Sequence, residues 1–400
     1  METWKRNLFV CWFGAFATST GLSQVAPILP VCIEQFGVYS PEEIAHWSGI
    51  AFGVTFVLMA VFSPIWGSAA DKYGRKPMLL RASLGMAIVL SAMGFSQNVY
   101  QLVGFRMLQG TISGFYSASI TLVATQTPPQ KTGWALGTLS TGALSGSLIG
   151  PLIGGYLAEI MGVRYVFLTI GAFVFIAFIL SYFFVREEFT AKAQTQTSLR
   201  EVWRKLPNPS LITSMFITTF VLQMGMTSIQ PIMTIYVAKL SGDAAHLVFI
   251  SGLVFAAPGL ASLIAAPILG RQSDKVGPVK VMFAALIIAG LTFIPQAMAS
   301  SVPELFCYRF LLGLTSAGML PAINTFLKKT APQEVLGRIF GYNQAAQFIG
   351  SFAGSVLGGE VAAYLGVEYT FLSTGMILFV NAAWVYFKVY RVSVNVKGAA

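Results

Sequence analysis

The chain has 400 residues, 55% of them hydrophobic and only 10% charged, with 39 glycines and a formal net charge of +10. A soluble globular domain carries roughly 25% charged residues, so this composition excludes an ordinary water-soluble fold. It requires apolar stretches of about 20 residues, each able to cross a hydrocarbon layer of about 30 Å as a helix.

Twelve such stretches follow in chain order, at residues 8–33, 45–69, 78–96, 99–124, 135–161, 165–185, 210–238, 245–270, 279–299, 302–326, 338–364 and 369–388. Most connections are short, so the helices must bundle. The exception is a polar segment from Arg186 to Pro209. The pattern predicts an all-α integral membrane protein of 12 transmembrane helices in two pseudo-symmetric six-helix bundles, residues 1–185 and 210–400, joined by a cytoplasmic linker at 186–209.

Placing both termini inside leaves only Arg164 and Lys239 outside, with Arg106 and Arg309 within spans, and puts the rest of the 25 Lys and Arg residues on the cytoplasmic side. That is the positive-inside distribution of a multi-pass membrane protein, and the lack of organelle signals and of long glycosylatable loops favours the plasma membrane. The charge therefore sets topology, and no nucleic-acid partner is implied. Cys11, Cys32 and Cys307 are scattered along apolar runs, with neither a metal-ligand spacing nor a disulfide pattern. Lys5 and Arg6 precede an apolar run too long for a signal peptide, so that run reads as the first span.

A shift of 203 or 204 positions lays the second half over the first. Pro27 meets Pro231; Gly67, Asp71 and Gly74 meet Gly270, Asp274 and Gly277; Arg106 and Gly110 meet Arg309 and Gly313. Gly154 and Gly155 meet Gly358 and Gly359, and Phe167 meets Phe371. Two parallel six-helix copies are a repeat architecture of alternating-access transporters.

Three local patterns stand out. "GSAADKYGRKPMLL", Gly67 to Leu80, gathers Asp71, Lys72, Arg75 and Lys76 in a glycine-punctuated knot between spans 2 and 3. Arg106, Gln109 and Gly110 fall in span 4. In span 5, Gly142, Gly146, Gly150 and Gly154 recur every four residues and share one helix face, with Pro151 placed to bend the helix. The second copy keeps Gly354, Gly358 and Gly359 but carries Ser355 in place of Pro151 and Pro278 in place of Arg75.

These patterns resemble signatures of the major facilitator superfamily, in particular its twelve-helix drug:proton antiporters such as bacterial multidrug efflux pumps. The resemblance implies a conformational latch at Gly67, Asp71, Gly74 and Arg75, stronger in the first half than in the second. It implies proton coupling at Arg106 and an antiporter element at Gly142, Gly146, Gly150, Pro151 and Gly154. It also implies a substrate cavity lined by spans 1, 4, 7 and 10.

Along those spans the polar and adaptable residues are Ser23, Gln24, Tyr116, Gln223, Met224, Met226, Gln230, Arg309 and Asn324, with Trp12 and Phe115 as aromatic faces. Flexible methionines and large aromatics suit varied amphipathic cargo. Spans 1, 4, 7 and 10 hold no carboxylate near mid-membrane. Glu34, at the outer end of span 1, is the first candidate to titrate against Arg106, followed by Glu159 and Glu360 at the outer ends of spans 5 and 11.

The expected activity is proton-coupled export of small molecules by a monomer, driven by the proton gradient, with no cofactor and no metal. An exporter of an endogenous metabolite or lipid is the alternative. A primary pump would need a phosphate-cradling G-x-x-x-x-G-K-[ST] loop, and an enzyme a nucleophile or metal cluster. Neither occurs, and His46 and His246 stand apart at the outer ends of spans 2 and 8.

Overall fold

The computed structural model describes residues 2–189, 203–242 and 246–391, so the middle of the 186–209 linker lies outside the described residues. The described residues form helices joined by short turns and loops, with no strand among them, as the composition requires. The first half comprises α1 (Thr3–Ser23), α2 (Val25–Glu34), α3 (Pro41–Tyr73), α4 (Arg75–Met93), α5 (Val99–Ile112), α6 (Phe115–Gln126), α7 (Thr132–Met161) and α8 (Val163–Phe184). The second comprises α9 (Pro209–Ser228), α10 (Met233–Ser241), α11 (Leu247–Val276), α12 (Pro278–Ala297), α13 (Val302–Ser316), α14 (Met319–Thr330), α15 (Leu336–Leu365) and α16 (Val367–Val385).

Eleven of the twelve expected spans are long and apolar enough to cross a membrane. The twelfth, expected at 99–124, is two helices of 14 and 12 residues parted at Ser113 and Gly114. The interruption explains its shortness: each piece falls below the length that spans hydrocarbon alone.

The chain forms two compact units. Residues 1–40, 50–194 and 244–256 make unit 1; residues 41–49, 195–243 and 257–400 make unit 2. Each unit thus includes the tip of a long helix from the opposite half of the sequence, a detail that continuous halves of 1–185 and 210–400 do not anticipate. Unit 1 packs Leu8, Cys11, Leu79, Phe115, Leu122 and Leu139 into its core.

Glycine seams hold each unit together. In unit 1, a methyl added at Gly146 or Gly150 would overlap Phe16 or Ser23 of α1, and at Gly142 it would stand 2.6 Å from the Trp12 carbonyl. In unit 2, Gly350, Gly354 and Gly358 of α15 meet the carbonyls of Phe220, Met224 and Ser228 of α9, each too closely for a Cβ. These contacts repeat at the 204-residue offset. Small residues let two backbones touch where lipid offers no hydrophobic drive. The glycine repeat of span 5 is therefore first of all a packing face against span 1.

Candidate functional site

The spans expected to line the cavity, 1, 4, 7 and 10, are the four that the structure breaks into two helices: α1/α2 at Gln24, α5/α6 at Ser113 and Gly114, α9/α10 across Ile229–Ile232, and α13/α14 at Ala317 and Gly318. Proline accounts for two of the breaks. Pro27 and Pro231 have no N–H to donate to the carbonyls of Ser23 and Thr227, four residues earlier. Irregular backbone at membrane depth is tolerated only inside protein or along a watered cavity, and interrupted helices are where transporters place their sites.

In unit 1, the span 4 break is compensated by named donors. Trp66 Nε1 donates to the Thr111 carbonyl at 2.6 Å, and Arg81 Nη2 donates to the Ser113 carbonyl at 3.1 Å. Arg81 lies 3.6 Å over the Trp66 ring, so both donors form one stack. Gly114 takes φ +125°, a conformation that favours glycine. Two turns before, the buried Arg106 donates from Nε to the Ala51 carbonyl at 2.9 Å, from Nη2 to the Phe52 carbonyl at 3.3 Å, and from Nη1 to Gln109 Oε1 at 2.5 Å. Thr55 Oγ1 donates back to the Arg106 carbonyl at 3.0 Å.

Arg106 therefore clamps span 4 to span 2 through neutral oxygens. Glu34 is exposed at the end of α2 and makes no ion pair with it. The expected pairing is replaced by carbonyl acceptors, because the guanidinium turns toward α3 and not toward the end of span 1. Gln24 sits at the span 1 break with 0% exposure, and neither amide atom has a hydrogen-bond partner. Tyr116 is half-buried, while Phe115 is packed on Gly14 in the core and presents no open aromatic face.

In unit 2, Arg309 is also buried, but its Nε has no partner. The difference lies in the repeat: Leu312 stands where the first half has Gln109, and Pro258 where it has Thr55. Gln223, Met226 and Gln230 are half-buried along span 7, and Asn324 is exposed on α14. Asn343 of α15, not anticipated from the sequence, accepts from Thr219 Oγ1 at 2.7 Å and donates to Asn324 Oδ1 at 3.4 Å. It ties span 11 to spans 7 and 10.

The charged knot of unit 1 is a capped turn. Gly74 takes φ +94° and has no side chain to cap α4. Glu187, just past span 6, takes that place: its carboxylate accepts from the backbone N–H of Arg75 at 2.8 Å and of Lys76 at 2.7 Å. Arg75 pairs with Asp71, and Lys76 Nζ donates to the Tyr182 carbonyl at 3.0 Å. Gly67 has open space around its Cα. In the second copy Gly277 keeps a positive φ of 101°, but Pro278 has no N–H for a carboxylate to cap. The side chain of Asp274 lies outside what the structure describes.

Glu187→Ala should cost about 1 kcal/mol, the worth of a helix cap, and lower the thermal midpoint of the purified protein. Glu187→Gln should recover part of that loss.

Both remaining candidate carboxylates meet histidines. In unit 2, His46 Nδ1 lies 2.6 Å from Glu360. In unit 1, His246 Nδ1 lies 2.7 Å from Glu159, which also accepts from the Phe249 N–H at 3.0 Å and so caps α11. His246 holds φ +72°, a strained conformation of the kind that clusters at functional positions. Among the described residues no group of three or more His, Cys, Asp or Glu side chains is placed to hold a metal. Outside the spans, Lys205 pairs with Glu334 at 2.8 Å and holds that carboxyl below its usual range.

The Major Facilitator Superfamily profile matches residues 11–251 and 215–400. Curated relatives include the multidrug resistance protein MdtG of Yersinia enterocolitica, 44% identical over 97% of this chain and 94% of the relative. The protein of the same name from Proteus mirabilis is 43% identical over 97% of both chains. Among solved structures, a bacterial homologue of the human lysosomal transporter Spinster, inward-facing and unoccupied, superposes with a TM-score of 0.80 at 14% identity over 97% of each chain. The human organic anion transporter MFSD10 superposes with a TM-score of 0.71 at 16% identity over 96% of this chain and all of that one. At these identities the two structures speak for the fold alone.

Proposed function

Since this chain belongs to the Major Facilitator Superfamily, we propose that it is a proton-coupled multidrug exporter of the plasma membrane, with both termini cytoplasmic. The reading is carried by 44% identity, over 97% of the chain, to a protein named for multidrug resistance. The four interrupted spans support it, because they supply paired breaks at corresponding places in both halves. Cargo recognition falls to Gln24, Tyr116, Gln223, Met226, Gln230, Arg309 and Asn324. Gln24 and Arg309 offer buried polar atoms that their own units leave unpartnered. No catalytic step and no bound cofactor enters this cycle; the proton gradient drives it, and the chain acts as a monomer.

Arg106 contributes to coupling as a fixed buried charge. The proton is carried by the carboxylate and imidazole pairs Glu159 with His246 and Glu360 with His46. Each pair sets an imidazole nitrogen against a carboxylate, 2.6 Å apart at His46 with Glu360 and 2.7 Å apart at His246 with Glu159. The double variant Glu159→Gln, Glu360→Gln should flatten the pH dependence of drug export, whereas Glu34→Gln should keep the parental profile. If the double variant keeps the parental pH profile and Glu34→Gln loses it, coupling belongs to Glu34. The export reading itself is tested in cells lacking their own efflux pumps. Expression should raise the inhibitory concentration of several unrelated amphipathic drugs, whereas no change for any of them would move the assignment to an endogenous metabolite or lipid.

A further inference from the structure

Between α4 and α8 of unit 1 runs an open apolar groove of about 500 Å³, lined by Ile88, Ser91, Phe95, Leu168, Gly171 and Phe175 among others. Its floor is close-packed: a methyl on Gly171 would overlap Ser91, and one on Gly94 would stand 2.8 Å from the Arg164 carbonyl. Arg164, Leu168, Gly171 and Phe175 follow one another at intervals of four, three and four residues, so they share one face of α8. The exposed Arg164 thus stands at the mouth of the trough, at the end that the charge distribution assigns to the outside.

Among the described residues no carboxylate pairs with Arg164, α8 has no acidic residue in its first turn, and its N-cap is Gly162. The positive end of the helix dipole and the guanidinium therefore add.

The second half provides an internal comparison. At the 204-residue offset Glu368 replaces Arg164, stands in the first turn of α16 and is tied to Lys239. Deeper down, Gly290 stands where the first half has Ala87, and the Phe379 ring packs onto it, 2.9 Å from where a Cβ would be. Phe175, the repeat mate of Phe379, lines the groove together with Ala87 and is 42% exposed.

We propose that unit 1 carries a specific site for an anionic phospholipid, its phosphate against Arg164 and the α8 N-terminus and one acyl chain in the groove. Charge complementarity selects the headgroup, and the open apolar trough selects the chain. The site rests on geometry independent of the transport reading.

Native mass spectrometry of the purified detergent-solubilised protein with dioleoyl phosphatidylglycerol tests it. The parent should retain one lipid at concentrations where dioleoyl phosphatidylethanolamine leaves it largely free. Arg164→Gln should bind phosphatidylglycerol about fivefold more weakly, the effect of one interfacial cation. Ala172→Trp, which fills the trough from an exposed wall, should lose the bound lipid, and both variants should melt with the parent because neither side chain is in the core. Equal retention of phosphatidylglycerol by parent and both variants would overturn the proposal, as would equal retention of phosphatidylethanolamine.

Discussion

Gly358→Ala should remove most folded protein from the membrane, although it adds a single methyl group. The Cβ would overlap the backbone carbonyl of Ser228, which no rotamer change relieves. Overpacking of this kind costs about 1–3 kcal/mol where side chains can yield. A backbone contact in the seam between spans 7 and 11 should reach the top of that range. Gly137→Ala is the matched control: it also lies on a glycine-containing span, but nothing stands within 4 Å of its Cβ position, and alanine favours a helix by about 1 kcal/mol over glycine. Yields of detergent-solubilised, monodisperse protein check the contrast. Equal yields would mean that the seam is looser than its geometry.

Arg106→Met should separate folding from transport. The Ala51 and Phe52 carbonyls that accept from Arg106 lie within α3 and retain their helical donors, so an apolar replacement of similar length leaves Gln109 as the group most deprived. Removing a buried charge is most costly when it strands a buried counter-charge, and among the described residues Arg106 pairs with no carboxylate. The variant should therefore reach the membrane and melt within a few degrees of the parent, yet show no proton-driven export. Arg106→Lys should fail as well, since one ammonium cannot supply three divergent donors. Parental export by Arg106→Met would reduce the residue to a strut between spans 2 and 4.

The spans were legible because hydropathy is a property of each segment by itself. The repeat was legible because Pro27 with Pro231 and Arg106 with Arg309 survive at one offset. Partners were not legible, for they depend on which face of each helix turns inward. Glu187 caps a turn 112 residues earlier in the chain, and no local pattern announces it. Glu34 was a reasonable mate for Arg106 by depth along the helix, yet the guanidinium finds uncharged carbonyls on span 2. The histidines looked isolated in sequence, and only the folded tips of spans 2 and 8 bring them to Glu360 and Glu159. The break at Gly114 went unseen because a lone glycine in an apolar run does not distinguish an interruption from a packing contact.

The measurement that bears most directly on the central claim is uptake into inverted membrane vesicles containing this protein, with the lumen acidified and a panel of fluorescent amphipathic drugs and fluoroquinolones outside. The account predicts accumulation that collapses on adding a protonophore and is absent in vesicles carrying Arg106→Met. Accumulation that persists without a proton gradient, or no accumulation of any panel member by correctly folded protein, would contradict it.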